Sequence, residues 1–126
     1  MATYPPNDND VNLNNIKTLM NVYPNYPVGF SDHTLGVAIP LASVALGVCL
    51  IEKHFTLDTK MEGNDHRVSI ETQDFTLMVK GIRQVEESLG KTNGRSLSQG
   101  EMINRETLGK SIFVKKNIKK GIKFQD

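Results

Sequence analysis

Residues 28–54 read VGFSDHTLGVAIPLASVALGVCLIEKH, and they decide the fold class of this chain. Two apolar runs, at 28–30 and 48–51, are each followed by a short polar cluster. The segment between them, 35–46, has apolar residues at helical spacing and is followed by Gly47, a residue type that favours helix ends. A continuous apolar run is typical of a parallel strand that helices cover on both faces. The stretch therefore predicts a β-α-β unit in an α/β protein.

The two polar clusters contain candidate catalytic and metal-binding residues. Side chains on a strand alternate between its faces, so Ser31 and His33 share one face, and Glu52 and His54 share one face. If the two strands are parallel neighbours, the four side chains converge. Neutral imidazole suits transition metals, and oxygen ligands favour harder ions such as Mn²⁺ or Mg²⁺. The sequence predicts a divalent-metal site with open coordination positions, as in catalytic sites.

Composition argues against several classes of partner. The 126 residues include 15 Lys+Arg and 14 Asp+Glu, a formal charge of +1, so we expect no nucleic-acid partner. The start of the chain has no secretory signal pattern, and the longest apolar stretch, 36–51, is shorter than the roughly 20 residues that span a bilayer. The lone Cys49 lies among apolar residues and predicts a buried thiol in a reducing compartment. We expect a soluble, cytoplasmic protein with no membrane partner.

The rest of the chain predicts two more helices, one before the β-α-β unit and one after a polar loop that follows it, and then a change of composition. The second of these helices has the clearest apolar stripe, and Gly90 follows it as a stop. Polar residues without an apolar period then indicate a linker, and apolar residues among lysines near the end indicate short strands. The predicted elements are a helix over 11–22, a loop over 55–70, a helix over 73–89, a linker over 91–108 and strands around a glycine turn over 110–124.

Four ordered motifs resemble the sialic acid synthase family: GFSDHT at 29–34, ALG at 45–47, IEKHFTLD at 51–58 and EGNDH at 62–66. Family members include N-acetylneuraminate synthase and its legionaminate and pseudaminate relatives, which condense phosphoenolpyruvate with an N-acylated aldose and release phosphate. The resemblance covers nearly the whole chain. It departs from the family pattern at Asn64, where Pro or Ser is common.

The resemblance implies a domain organisation as well as an activity. Residues 1–90 would be the C-terminal βα units of a (β/α)8 TIM barrel, 91–109 a linker, and 110–126 the start of an antifreeze-like (SAF) domain. Two strands alone do not enclose a barrel core, which agrees with a chain that lacks the earlier strands. Family members are homodimers, and we expect the full-length enzyme to be one. The fragment by itself is expected to be inactive.

The resemblance also implies a role for each candidate site residue. The histidines would bind the catalytic metal, Mn²⁺ foremost, with Mg²⁺ or Co²⁺ as alternatives. The implied catalytic residues are Glu52, His33 and His54; the implied metal ligands are His33 and His54; the implied substrate-binding residues are Tyr4 for the sugar pocket, Ser31 for the phosphate of phosphoenolpyruvate and Asp65 for sugar hydroxyls.

Three nearby residues and two other functional classes remain open. Asp32 is expected to cap a helix or to support a ligand, and Lys53 to pair structurally. His66 could assist the sugar pocket or brace its loop. The chain could instead be a noncatalytic truncated module that binds metal or associates with another chain. A third alternative is an intact small α/β metal protein that self-associates through its strands.

Overall fold

The computed structural model describes residues 4–90 and 94–123, and two parallel strands carry the polar clusters. The first strand, β1, is Gly29–Asp32 and the second, β2, is Leu50–Lys53. Their Cα partners run from Gly29 with Leu50 to Asp32 with Lys53. With a helix between them they form the predicted β-α-β unit, so the α/β class is confirmed. The strands begin one or two residues later than predicted and extend into the polar clusters, where Ser31 pairs with Glu52 and Asp32 with Lys53.

Five helices lie in the described residues. The chain from 55 to 71 is a loop with one 3₁₀ turn at His66–Val68, as predicted for the most part. None of these helices is long and apolar enough to cross a membrane. The helices are α1, Asp8–Val11; α2, Asn15–Val22; α3, Ala38–Ala45; α4, Thr72–Leu89; and α5, Gln99–Leu108.

The prediction of one helix over 11–22 is wrong. Asn12 has φ 47° and ψ 58°, the left-handed conformation, and this separates α1 from α2. Asparagine adopts that conformation more readily than most residues, so it ends a helix at little cost. The predicted end of the segment is correct, since α2 stops at Val22 before the Tyr-Pro motif.

The core of the first unit, residues 1–90, lies between α2, α3 and the strands. Ile16, Val44 and Val48 form its buried centre, and half-buried side chains from the strands and α4 pack against it. Gly47 has φ +104°, so the turn from α3 to β2 uses a conformation that other residues rarely adopt. The segment 35–46 therefore contains the predicted helix between the strands, although α3 covers only Ala38–Ala45.

Helix α4 packs on α3, and Gly81 lets the two helices approach closely. A Cβ atom at Gly81 would lie 2.8 Å from Leu41 Cδ2. Only part of the predicted apolar stripe is covered: Met78 is 3 % exposed, whereas Leu89 is 57 % exposed. The helix confirms the predicted periodicity, but the depth of burial varies along its stripe.

Beyond the stripe, two predictions of burial at β2 are wrong. Leu50 is 62 % exposed, so helices do not cover both faces of this strand. Cys49 is also exposed, and its thiol lies 3.4 Å from the Val28 carbonyl oxygen. The reason is an open cleft of about 460 Å³ between β2 and α4, whose walls include Leu50, Phe75 and Met78. The apolar run at 48–51 indicates that these side chains favour burial, but it does not show that another element packs against them.

The second unit, residues 91–126, differs from its predicted form. Helix α5 occupies most of the predicted linker, because Ser98 and Glu101 form a capping box: each accepts a hydrogen bond from the other's backbone N–H. Residues 110–123 contain no strand, in agreement with the marginal stability of an isolated hairpin. Residues 91–93 of the predicted linker and 124–126 of the predicted C-terminal domain lie outside the described ranges.

Candidate functional site

Three aromatic rings meet where the paired strands end. His33 directly follows β1 and His54 directly follows β2, and their ring centroids are 5.2 Å apart. The Tyr4 ring stacks on His33 at 4.2 Å and meets His54 edge-on at 5.6 Å. The parallel register explains the meeting, since both histidines are the next residues after the Asp32 and Lys53 pair. We name these three residues the ring cluster.

The His33 imidazole is the buried member of the ring cluster. Its Nε2 lies 3.3 Å from the Ser31 hydroxyl, as expected for two side chains on one strand face. Its Nδ1 is buried and has no hydrogen-bond partner among the described residues. Burial lowers the pKa of the His33 imidazole, and the neighbouring His54 lowers the pKa further. The ring is therefore neutral at pH 7 and keeps a nitrogen lone pair for a ligand.

Glu52 is placed beside the ring cluster but is not joined to it. It is the register partner of Ser31, and its side chain is exposed. Within residues 4–90 it makes no hydrogen bond or ion pair, although its negative charge acts on His33 and favours the protonated imidazole there. The carboxylate can therefore reach solvent or a bound molecule.

The loop after β2 brings Asp65 to the edge of the ring cluster. Asp65 Oδ2 is 3.9 Å from His54 Nδ1, and its side chain is 71 % exposed. The loop returns to β2 through an Ile70 N–H that donates to the His54 carbonyl oxygen at 2.8 Å. His66 is turned to another partner, since its Nδ1 lies 2.7 Å from the Thr56 hydroxyl. This contact favours the bracing role for His66.

A second cavity, of about 380 Å³, opens beside Tyr4. Asn64 and Arg67 contribute polar groups to its wall, and Pro5, Leu35 and Val68 contribute apolar surface. Arg67 was missed by sequence reasoning, because a single arginine in a polar loop has no distinctive pattern. Its place directly after Asp65 and His66 was the available signal.

The opposite face of the strands contains a buried ion pair. Lys53 Nζ is 2.6 Å from Asp32 Oδ2, and the two side chains are 2 % and 0 % exposed. The prediction that Lys53 pairs structurally is confirmed. Asp32 does not cap a helix: its Oδ1 accepts the Thr34 N–H at 2.9 Å, whereas α3 begins later, after Val37. The sequence alone does not predict that Asp32 and Lys53 are each other's ion-pair partners.

The residues fit an open metal site and not a closed one. Within residues 4–90 and 94–123 no group of three or more His, Cys, Asp or Glu side chains could hold a metal ion. Two neighbouring imidazoles remain, and the buried, unpartnered Nδ1 of His33 is a chemically suitable donor. Such a pair would leave further positions to water, substrate or other groups.

The fold and the site together define a parallel α/β protein whose polar side chains gather where the strands end. Residues 1–94 match the NeuB family. An uncharacterized protein of Methanocaldococcus jannaschii is 49% identical over 121 residues, which are 96% of this chain and 35% of that protein. The N,N'-diacetyllegionaminic acid synthase of Campylobacter jejuni is 43% identical over 123 residues, 98% of this chain and 36% of that enzyme.

Solved structures lead to the same family. The N-acetylneuraminic acid (sialic acid) synthetase of Leptospira borgpetersenii, crystallised with citrate, superposes with a TM-score of 0.73 and 34% identity, over 88% of this chain and 39% of that one. The chain belongs to the NeuB family. It spans about a third of the length of the curated relatives that it matches.

Proposed function

We propose that this chain is the C-terminal part of a sialic-acid-type synthase, a transferase that condenses phosphoenolpyruvate with an N-acylated aldose such as N-acetylmannosamine. The observation that carries the proposal is the ring cluster: His33, His54 and Tyr4 meet at the ends of two parallel strands, inside the segment that matches the family. Barrel enzymes keep their catalytic groups at this end of their strands. Phosphoenolpyruvate and the aldose are the proposed small-molecule partners.

In the proposed reaction, C3 of phosphoenolpyruvate bonds to the aldose carbonyl carbon, water adds oxygen at C2, and phosphate leaves. The product is a nine-carbon 2-keto sugar acid. A divalent metal, Mn²⁺ foremost, would be held by His33 and His54 and would supply Lewis-acid chemistry when bound. The lowered pKa of His33 supports this role, because only a neutral imidazole can bind metal.

We propose roles for the other candidate side chains from their positions and their functional groups. Ser31 carries a hydroxyl that can donate to a phosphate oxygen from the strand face it shares with His33. Glu52 presents an exposed carboxylate that can orient water or accept a proton. Asp65 borders the ring cluster and would hold the sugar by its carboxylate, and Tyr4 within the cluster would hold the sugar by ring contact.

We further propose the larger architecture that the family implies. The β-α-β unit would be the last part of a (β/α)8 barrel, residues 110–126 would begin a SAF domain, and the full-length enzyme would be a cytoplasmic homodimer. By itself this chain would release no phosphate from phosphoenolpyruvate, because it supplies only some of the groups that the substrates need.

The proposal is tested by titrating the purified 126-residue chain with Mn²⁺ in a calorimeter. We expect saturable binding that His33→Ala and His54→Ala each abolish. His66→Asn is the matched control, because asparagine can keep a hydrogen bond to Thr56 and His66 lies outside the ring cluster. Equal binding by all four proteins, with unchanged far-ultraviolet circular dichroism, would remove the metal from the proposal.

A second candidate function is association with another chain. The sheet has two strands in residues 4–90, and a strand edge without a partner tends to acquire a further strand. The exposed Leu50 beside the open cleft adds apolar surface for such a contact. Light scattering of the purified chain distinguishes the candidates. A monomer at all concentrations that binds Mn²⁺ supports the metal site alone, whereas a stable oligomer without metal binding supports the association module.

A further inference from the structure

The two residues of the buried ion pair, Asp32 and Lys53, directly precede the two histidines of the ring cluster. Lys53 Nζ donates to Asp32 Oδ2 and to the Thr34 carbonyl oxygen, both at 2.6 Å. Asp32 Oδ1 accepts the Thr34 N–H at 2.9 Å. His33 lies between Asp32 and Thr34 in the chain, so one lysine from the neighbouring strand holds the residues on both sides of His33.

The strand register links the same lysine to the second histidine. Asp32 and Lys53 are the last Cα partners of β1 and β2, and His33 and His54 are the next residues of the two strands. Because neighbouring side chains point to opposite faces, the ion pair occupies one face and the rings the other. The pair therefore joins the two strand ends at the level where the rings meet.

Stability alone is a weak reason for such a pair. Removing two charges from water is costly, and well-packed apolar residues often replace a buried ion pair without loss of stability. The pair does, however, restrict movement of the two strand ends, because a buried Lys53 must stay within hydrogen-bond distance of both Asp32 and the Thr34 carbonyl oxygen. The ion pair is therefore suited to fixing the relative positions of the two strand ends.

We propose that Asp32 and Lys53 are positioning residues that set the separation and orientation of the His33 and His54 imidazoles. Within residues 4–90 no hydrogen bond joins either side chain to a ring, so they set the ring positions through the backbone. The metal-binding consequence rests on the proposed function above, whereas the ring geometry does not depend on it.

The test compares variants that separate positioning from folding. Lys53→Met leaves a buried carboxylate without its partner, so the deciding protein is the double variant Asp32→Asn, Lys53→Met, which removes both charges and keeps an acceptor for the Thr34 N–H. Val44→Ala is the control, because it weakens the core centre and leaves both charges of the ion pair in place. The first readout is the carbon-13 NMR signals of the His33 and His54 rings in the metal-free chain, recorded at alkaline pH. Under that condition removal of the Asp32 charge, which raises the pKa of His33, does not itself move the signals. The second readout is Mn²⁺ affinity.

We expect the double variant to fold, to shift both ring signals and to bind Mn²⁺ about 10- to 100-fold more weakly, the usual effect of losing support for a ligand. Val44→Ala should leave ring signals and affinity unchanged in its folded fraction. Wild-type ring signals in the double variant would overturn the inference, and so would loss of its fold, which would make the pair purely structural. If the wild-type chain binds no Mn²⁺, the metal site fails and the ring signals still decide the positioning role.

Discussion

Met78 is the most deeply buried side chain of α4, so its removal should destabilise the first unit. It is 3 % exposed and is the buried residue of this helix. Replacement of a buried methionine by alanine costs about 2–5 kcal/mol, from lost transfer free energy and the cavity left behind. Met78 borders the open cleft of about 460 Å³, so water can enter the new space and the cavity contribution is small. We expect Met78→Ala to lower the free energy of unfolding by about 2 kcal/mol, near the transfer contribution alone.

Urea unfolding followed by circular dichroism at 222 nm measures this loss. Leu77→Ala is the matched control, because Leu77 is the preceding residue of the same helix and is 58 % exposed. Its truncation should change the free energy of unfolding by less than about 0.5 kcal/mol. Equal effects of the two substitutions would show that α4 does not pack through its Met78 face. A loss above about 4 kcal/mol for Met78→Ala would contradict the argument that the cleft relieves the cavity.

Three further predictions concern a turn, a loop and a helix end. Gly47→Ala should lower the free energy of unfolding by about 1–2 kcal/mol in the same urea experiment, because φ +104° is strained for alanine. Hydrogen bonds from Thr59 lower the pKa of Glu71. The stability that these bonds contribute is therefore present above the ordinary Glu71 pKa of 4.5 and is lost as the pH falls through the lowered pKa. Glu71→Gln should reduce this loss of unfolding free energy at acid pH, and an unchanged loss would contradict the assignment. Ser98→Ala should weaken α5 by about 1 kcal/mol, seen as loss of helical NMR shifts in residues 99–108, and unchanged shifts there would contradict the role of the cap.

The most predictable elements were those with a strong local signal. The stripe of α4 repeats over five turns, and the helix begins one residue before its predicted start. Helix α5 lies in a segment whose lack of an apolar period predicts a linker, and its signal is local: Ser98 and Glu101 have the spacing of a capping box. Asn12 shows the converse, since a single left-handed residue divided a segment with helical spacing.

Strand alternation predicts which candidate side chains share a face, but it does not predict their individual contacts. Strand alternation placed Ser31 and His33 on one face, and the structure joins them at 3.3 Å. The sequence could not assign Asp32 to Lys53, because the partner of a strand residue depends on register, which local pattern leaves open. The stacking of Tyr4 on His33 is likewise a contact between segments far apart in the chain.

The sequence by itself determined the α/β class, the order of its elements and the side chains available for chemistry, because these follow from local periodicity and residue type. Only the tertiary structure decided which of those side chains meet and which are buried. Cys49 and Leu50 are the clearest cases: their apolar run predicted burial, and an open cleft left both exposed. Burial needs a neighbour from elsewhere in the chain, and the ring cluster needs two strands in one register, so both depend on packing between distant segments.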